Sequence, residues 1–219
     1  MMRAAALTAA FLAGALAAGA ARAQGLQTDV DQATAIIQRF GDMPEKSIPD
    51  AVMRHARGIA VLTVFKAGFG LSGQGGKGLV IARTGSGWTG PSAIATGGAG
   101  FGFQIGAEIT EFVIILNTPE AVDAFARGGN VTIGADLSVA AGPVGRNLAA
   151  GVTPMAAIYT YSLSQGLFAG MSLQGAVIIT REASNREFYG KPVAPAEILS
   201  GKVAPPAGAQ KLIDALKRY

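Results

Sequence analysis

Residues 68–83 read GFGLSGQGGKGLVIAR and residues 100–116 read GFGFQIGAEITEFVIIL. A third stretch, GLFAGMSLQGAVIIT at 166–180, shares their layout, a glycine-rich half followed by an aliphatic half. β-branched and aliphatic runs form strands. Glycine inside a strand marks a bulge, a corner or a close backbone approach. Each stretch therefore predicts one hairpin of a strongly bent, mostly antiparallel sheet, barrel-like or sandwich-like. Working outward, further strands are expected at 59–65 (IAVLTVF), 130–140, 156–164 and 176–181. Glu108 and Glu111 fall where the second stretch is expected to turn, between strands at 102–108 and 111–117.

Helices flank this sheet. In residues 26–41, Val30, Ala33, Ile36, Ile37 and Phe40 recur at spacings of three and four, one face of a helix, with Thr28 as N-cap and Gly41 as stop. A second helix is expected from 47–50 to Gly58, with Pro49 near its start. Asn117-Thr118-Pro119-Glu120 opens a third, capped by Thr118 and stopped by Gly128-Gly129. A helical turn at 196–200 and an amphipathic helix at 207–218 complete an α+β chain.

The charge distribution agrees. Residues 24–57 carry nine charged side chains, 181–219 carry eleven, and the 123 residues between carry only ten, so the middle is expected to be mostly buried. The 219-residue chain is 50% hydrophobic and 15% charged, which argues against disorder. It has 31 glycines, 29 of them after residue 23, without the period of collagen. No cysteine is present, which excludes disulfides and thiolate metal sites.

Residues 1–23 read MMRAAALTAAFLAGALAAGAARA: a positive Arg3, an uncharged apolar run, then Ala21-Arg22-Ala23. That is the layout of a secretory signal peptide cleaved at about Ala23/Gln24. The expectation is a single domain over 24–219, periplasmic or secreted, with peripheral membrane association. Cleavage removes Arg3 and Arg22 and lowers the formal net charge from +4 to about +2, which gives no general pull toward nucleic acid.

Motifs for chemistry fail on context. Gly73-Gln74-Gly75-Gly76-Lys77-Gly78 matches a dinucleotide fingerprint in letters, but a strand follows it, and no acidic residue occurs between Asp50 and Glu108. A phosphate loop fails too, with Leu71 at its first glycine position and Gly78 at its Ser/Thr position. No G-x-S-x-G or S-x-x-K motif exists. The one histidine, His55, lies beside Arg54 and Arg57 and reads as solvated or capping. Glu108 and Glu111, three apart, fall on opposite faces of extended chain, so they do not pair for acid–base work. Neither an enzyme, a cofactor, a nucleotide nor a nucleic acid is expected.

Blocks of sequence from about Ala33 to Leu216 resemble the SYLF domain family. They include Ala56-Arg57-Gly58-Ile59-Ala60-Val61-Leu62, Lys66-Ala67-Gly68-Phe69, Phe112-Val113-Ile114-Ile115-Leu116-Asn117, Ala124-Phe125-Ala126-Arg127-Gly128-Gly129-Asn130, Gly142-Pro143-Val144-Gly145-Arg146-Asn147 and Asn185-Arg186-Glu187-Phe188-Tyr189-Gly190. The resemblance implies a non-enzymatic binding module. Eukaryotic members are associated with phosphoinositide-containing membranes and actin filaments, with membrane contact attributed to a basic amphipathic helix at the start of the domain. In the matching helix of this chain only Arg39 is basic, against Asp29 and Asp31.

The functional expectation is an exported module that binds anionic phospholipid or a membrane surface at the cell envelope. Its candidate contacts are Ile36, Ile37, Arg39 and Phe40 on the helix, and Lys66, Lys77, Arg83, Arg127, Arg146 and Arg186 in the family-like blocks. The alternative is a structural or protein-interaction module of the envelope, with no lipid ligand, that recognises its partner through the sheet or the glycine-rich turns.

Overall fold

A computed structural model describes residues 25–43, 48–143, 156–166, 173 and 175–219. The expected signal peptide and Arg146 lie outside the described residues.

Two long strands dominate the chain. β1 (Gly58–Thr84) has 27 residues and β3 (Ser92–Leu116) has 25. They pair antiparallel from Gly58↔Leu116 to Val80↔Ser92, with one register shift between Phe69 and Leu71. The first two glycine-rich stretches are thus not two hairpins. They face each other across one ladder. Their glycines come without the Asn, Asp or Pro chemistry that turns a chain, so the backbone stays extended through them. Glu108 and Glu111 correspondingly lie inside β3 rather than beside a turn. The chain turns where its Gly-Ser-Gly sequence indicates, at Thr84-Gly85-Ser86-Gly87: Gly87 takes φ 113° and the Ser86 N–H donates to the Thr84 hydroxyl at 3.3 Å. There the short β2 (Gly87–Trp88) pairs back onto Arg83 and Thr84.

β1 also bends onto itself. The Arg83 N–H donates to the Arg57 carbonyl at 2.8 Å. A Cβ at Gly78 would lie 1.8 Å from the Val61 carbonyl oxygen, so only glycine fits where the two halves of the strand meet. The resulting sheet is a strongly curled, open half-barrel. β6 (Ile158–Gly166) pairs with the second half of β3, and β5 (Val139–Ala141) joins β6 in parallel. β7 (Val177–Thr180) pairs with the first half of β3 at Ile94–Thr96, and β4 (Asn130–Thr132) pairs with β7. Only the β5–β6 strand pair is parallel among the described residues, so the sheet is mixed but mostly antiparallel, as expected.

Where β1 and β3 run through residues 59–62 and 112–116, both faces of the sheet are covered. Odd-numbered Ile59, Val61, Leu79, Ile81, Val113 and Ile115 pack with helix α1 (Leu26–Asp42) and helix α6 (Gln210–Lys217). Even-numbered Ala60, Leu62, Val64, Val80, Phe112 and Ile114 pack with α3 (Pro119–Ala126) and α5 (Pro195–Leu199). Strands buried on both faces read as unbroken apolar runs, which is why IAVLTVF and FVIIL show no polar alternation.

The helices follow local signals unevenly. α3 is as expected: the Thr118 hydroxyl accepts from the Ala121 N–H at 3.2 Å, Pro119 opens the first turn, and Gly128 and Gly129 stop it at φ 71° and 81°. α1 starts earlier than expected, after Gly25, which places Thr28 in the first turn, and it runs through Gly41 to Asp42. α2 (Asp50–His55) is only six residues long, because Ala56 turns to extended backbone before β1 begins. Helix α4 (Glu182–Tyr189), EASNREFY, was not expected: only Asn185 is fully buried, so no apolar period marks it.

Candidate functional site

The helix proposed to meet lipid spends its apolar face on the core. Ile36, Ile37 and Phe40 are all buried in α1, packed in the cluster that contains Val61, Val113 and Tyr161. That corrects the expectation of a surface-facing stripe: a contact by these three side chains would require α1 to leave the sheet. Arg39, on the outer side of the helix, pairs with Glu111 of β3 at 2.5 Å.

One end of α1 holds a buried charge cluster. The Asp29 carboxylate is fully enclosed, with Arg181 at 2.5 Å and Lys77 at 3.4 Å. Burial pushes its carboxyl above the usual carboxylate range, and the charges of Arg181 and Lys77 oppose that shift. Asp29 falls in the same three–four series as Leu26, Ala33, Ile36 and Phe40. A charge on an apolar face is the signal by which sequence reading could have found it. Lys77, a lipid candidate, is thus an internal partner joining β1 to α1.

Other candidates are also committed. The Arg83 guanidinium lies 4.4 Å from the centre of the Trp88 ring and donates to the Arg54 carbonyl at 2.6 Å. Lys66 is half-buried and stands opposite Glu108 across the β1–β3 ladder. Glu108 is itself buried and accepts from the Thr110 hydroxyl at 3.0 Å. The His55 ring nitrogen Nδ1 bonds the Ala51 carbonyl one helical turn back, at 2.7 Å. Among the described residues no three acidic or histidine side chains cluster as metal ligands would. Nor is any helix long and apolar enough to cross a membrane.

Two of the proposed cations do come together. Arg127, directly after α3, and Arg186, on α4, line one cleft of about 770 Å³ whose third wall is the segment 192–197 leading into α5. α4 presents Glu182, Ala183 and Arg186 to it, one helical face. Position is fixed from below by Asn185: its Oδ1 accepts from the Ala93 N–H at 2.7 Å and its Nδ2 donates to the Ser92 hydroxyl at 3.1 Å. The Glu197 carboxylate accepts from the Ala194 N–H at 3.0 Å, closing the start of α5. Among the described residues no ion pair engages Arg127 or Arg186.

A second surface feature lies on the sheet. Phe65 and Ile109, 50% and 46% exposed, are direct cross-strand partners. They stand one step along the same face from the Thr63↔Glu111 pair, beyond the cover of α1. No period in the sequence singles them out: Phe65 ends the apolar run IAVLTVF, and Ile109 stands alone between Glu108 and Thr110.

A family model described as Ysc84: Las17-binding protein actin regulator matches residues 97–219, more than half of the chain. SH3 domain-containing YSC84-like protein 1 of Rattus norvegicus is 45% identical over 202 residues, 89% of this chain and 59% of that protein. Its Homo sapiens counterpart is 44% identical over the same shares. LAS seventeen-binding protein 3 of Saccharomyces cerevisiae is 44% identical over 185 residues, 82% of this chain and 40% of that protein. The chain therefore spans roughly half the length of these relatives.

Proposed function

Because the chain belongs to the Ysc84 (SYLF) family, we propose that it is a non-enzymatic interaction module whose partner is a protein. The name of the yeast relative specifies a protein partner. The observation that carries the reading is the Phe65–Ile109 pair, two large apolar side chains that face each other across the β1–β3 ladder and are both about half exposed. Adjacent exposed apolar groups mark contact surfaces more often than single ones do. Five of the charges, Asp29, Lys77, Arg181, Arg39 and Glu111, pair with one another within the fold.

On the same proposal the chain works outside the cytoplasm, after cleavage that leaves Gln24 as the first residue, and the partner belongs to the envelope. Amino-terminal sequencing of the native protein checks that part. The contact itself is tested by placing a photo-crosslinking amino acid at position 65 or 109 in the host cell, with exposed Ser86 as control. One discrete protein adduct from 65 and 109, absent from 86 and lost in the Phe65→Asp/Ile109→Asp variant, is the expected result. No protein adduct, with co-sedimentation on anionic phospholipid vesicles instead, would replace the protein partner by a lipid surface.

A further inference from the structure

We propose that the cleft between α3, α4 and α5 is a groove for a short, extended peptide segment carrying an acidic side chain beside apolar ones. The inference rests on the interaction-module reading and names a partner chemistry for a second surface.

Three observations carry it. First, the cleft offers Arg127 and Arg186, both exposed and, among the described residues, without an ion-pair partner. Guanidinium groups bind carboxylates through paired N–H donors in a fixed fork, which sets both orientation and preference. Second, the cleft is not a polyanion site. Glu182 and Glu197 line it beside Arg127 and Arg186, so its formal charge sums to zero, and a ligand must set one carboxylate against the arginines and clear of the two glutamates. A peptide with one carboxylate finds the arginines, and its uncharged parts find the small and apolar walls given by Ala126, Ala183, Pro192 and Val193. Third, about 770 Å³ is far more than one phosphate fills and falls in the usual range of built ligand sites, roughly 300–1,000 Å³.

The test uses the full chain and a phage-displayed library of random linear peptides. Wild type is expected to enrich sequences with Asp or Glu next to Leu, Ile, Val or Pro. A synthetic peptide of the enriched sequence should bind at least tenfold more weakly to the Arg127→Gln/Arg186→Gln variant and with unchanged affinity to Phe65→Asp/Ile109→Asp. The charge-reversed Arg127→Glu/Arg186→Glu variant should switch enrichment to Lys- and Arg-bearing peptides, a gain that misfolding does not imitate. Absence of acidic enrichment, or equal affinity for wild type and the Gln variant, overturns the proposal. So does arginine-dependent binding to anionic phospholipid vesicles or inorganic phosphate in place of the peptide. If the peptide fails while the crosslink at Phe65 persists, only this groove falls, and the interaction-module reading stands.

Discussion

Asp29 shows what one buried carboxylate does for this fold. It fastens α1 to β1 through Lys77 and to the start of α4 through Arg181, which is 152 residues away in sequence. Removing one partner of a buried ion pair costs about 3–5 kcal/mol. Asp29→Ala is therefore expected to destabilise the chain by about 3 kcal/mol, read from the shift in the urea midpoint. A loss below about 0.5 kcal/mol, the scale of an exposed pair, would show the cluster to be screened by solvent. Two tyrosines give a pH dependence. The Tyr189 hydroxyl donates to the Pro91 carbonyl and the Tyr161 hydroxyl to the Pro143 carbonyl, each at 3.0 Å. Burial pushes both phenols above their usual 10.0, and Tyr159 adds to the shift at Tyr161. A folded-state value above the unfolded one means the folded state holds the proton more tightly. The stability these groups contribute is then complete below pH 10.0 and is lost as pH rises through the folded value. Alkaline titration followed by phenolate absorbance should show their ionisation only together with loss of structure. Tyr189→Phe should flatten the fall of stability above pH 10.0.

At the level of elements, legibility tracks whether the cause is local. α3 is specified by its own residues: cap, Pro119 and the Gly128-Gly129 stop are all in the sequence and all take their roles in the structure. Thr118→Ala should accordingly cost about 1 kcal/mol, measured by thermal or urea unfolding, because the Ala121 N–H loses its partner at a helix end. α4 is the opposite case. Its residues are polar, and its helix is set by contacts from far away, chiefly Asn185 meeting Ser92 and Ala93 across more than ninety positions. The amphipathic period of α1 was readable, and such stripes usually face a core, but only the sheet beneath Ile36, Ile37 and Phe40 decides. The candidate cleft was half visible for the same reason. Arg127 and Arg186 were both singled out from family-like blocks, while their meeting depends on how α3, α4 and α5 pack together.

The molecule as a whole is a curled sheet held between two helical layers, with a glycine-rich stretch where the β1–β3 ladder changes register. The glycine-rich sequence announced a bent sheet correctly but not its connectivity, since a glycine serves equally in a turn and in a bent ladder. Packing should divide the ladder into two dynamic zones. Residues 59–62 of β1 and 112–116 of β3 are buried on both faces, so their amides open only when the two cores separate. Gly73 and Gly75 are in the same ladder, yet nothing lies within 4 Å of where a side chain would project from them. Their hydrogen bonds have no packed layer above them on that face. Hydrogen–deuterium exchange read by mass spectrometry should show peptides over 59–62 and 112–116 exchanging at the rate of global unfolding. Peptides over 73–76 should exchange at least a hundredfold faster, through local opening, roughly 3 kcal/mol less protection. Equal protection along the ladder would mean that the curled sheet unfolds as one cooperative body, and that the glycine-rich stretch is as rigid as the doubly covered ends.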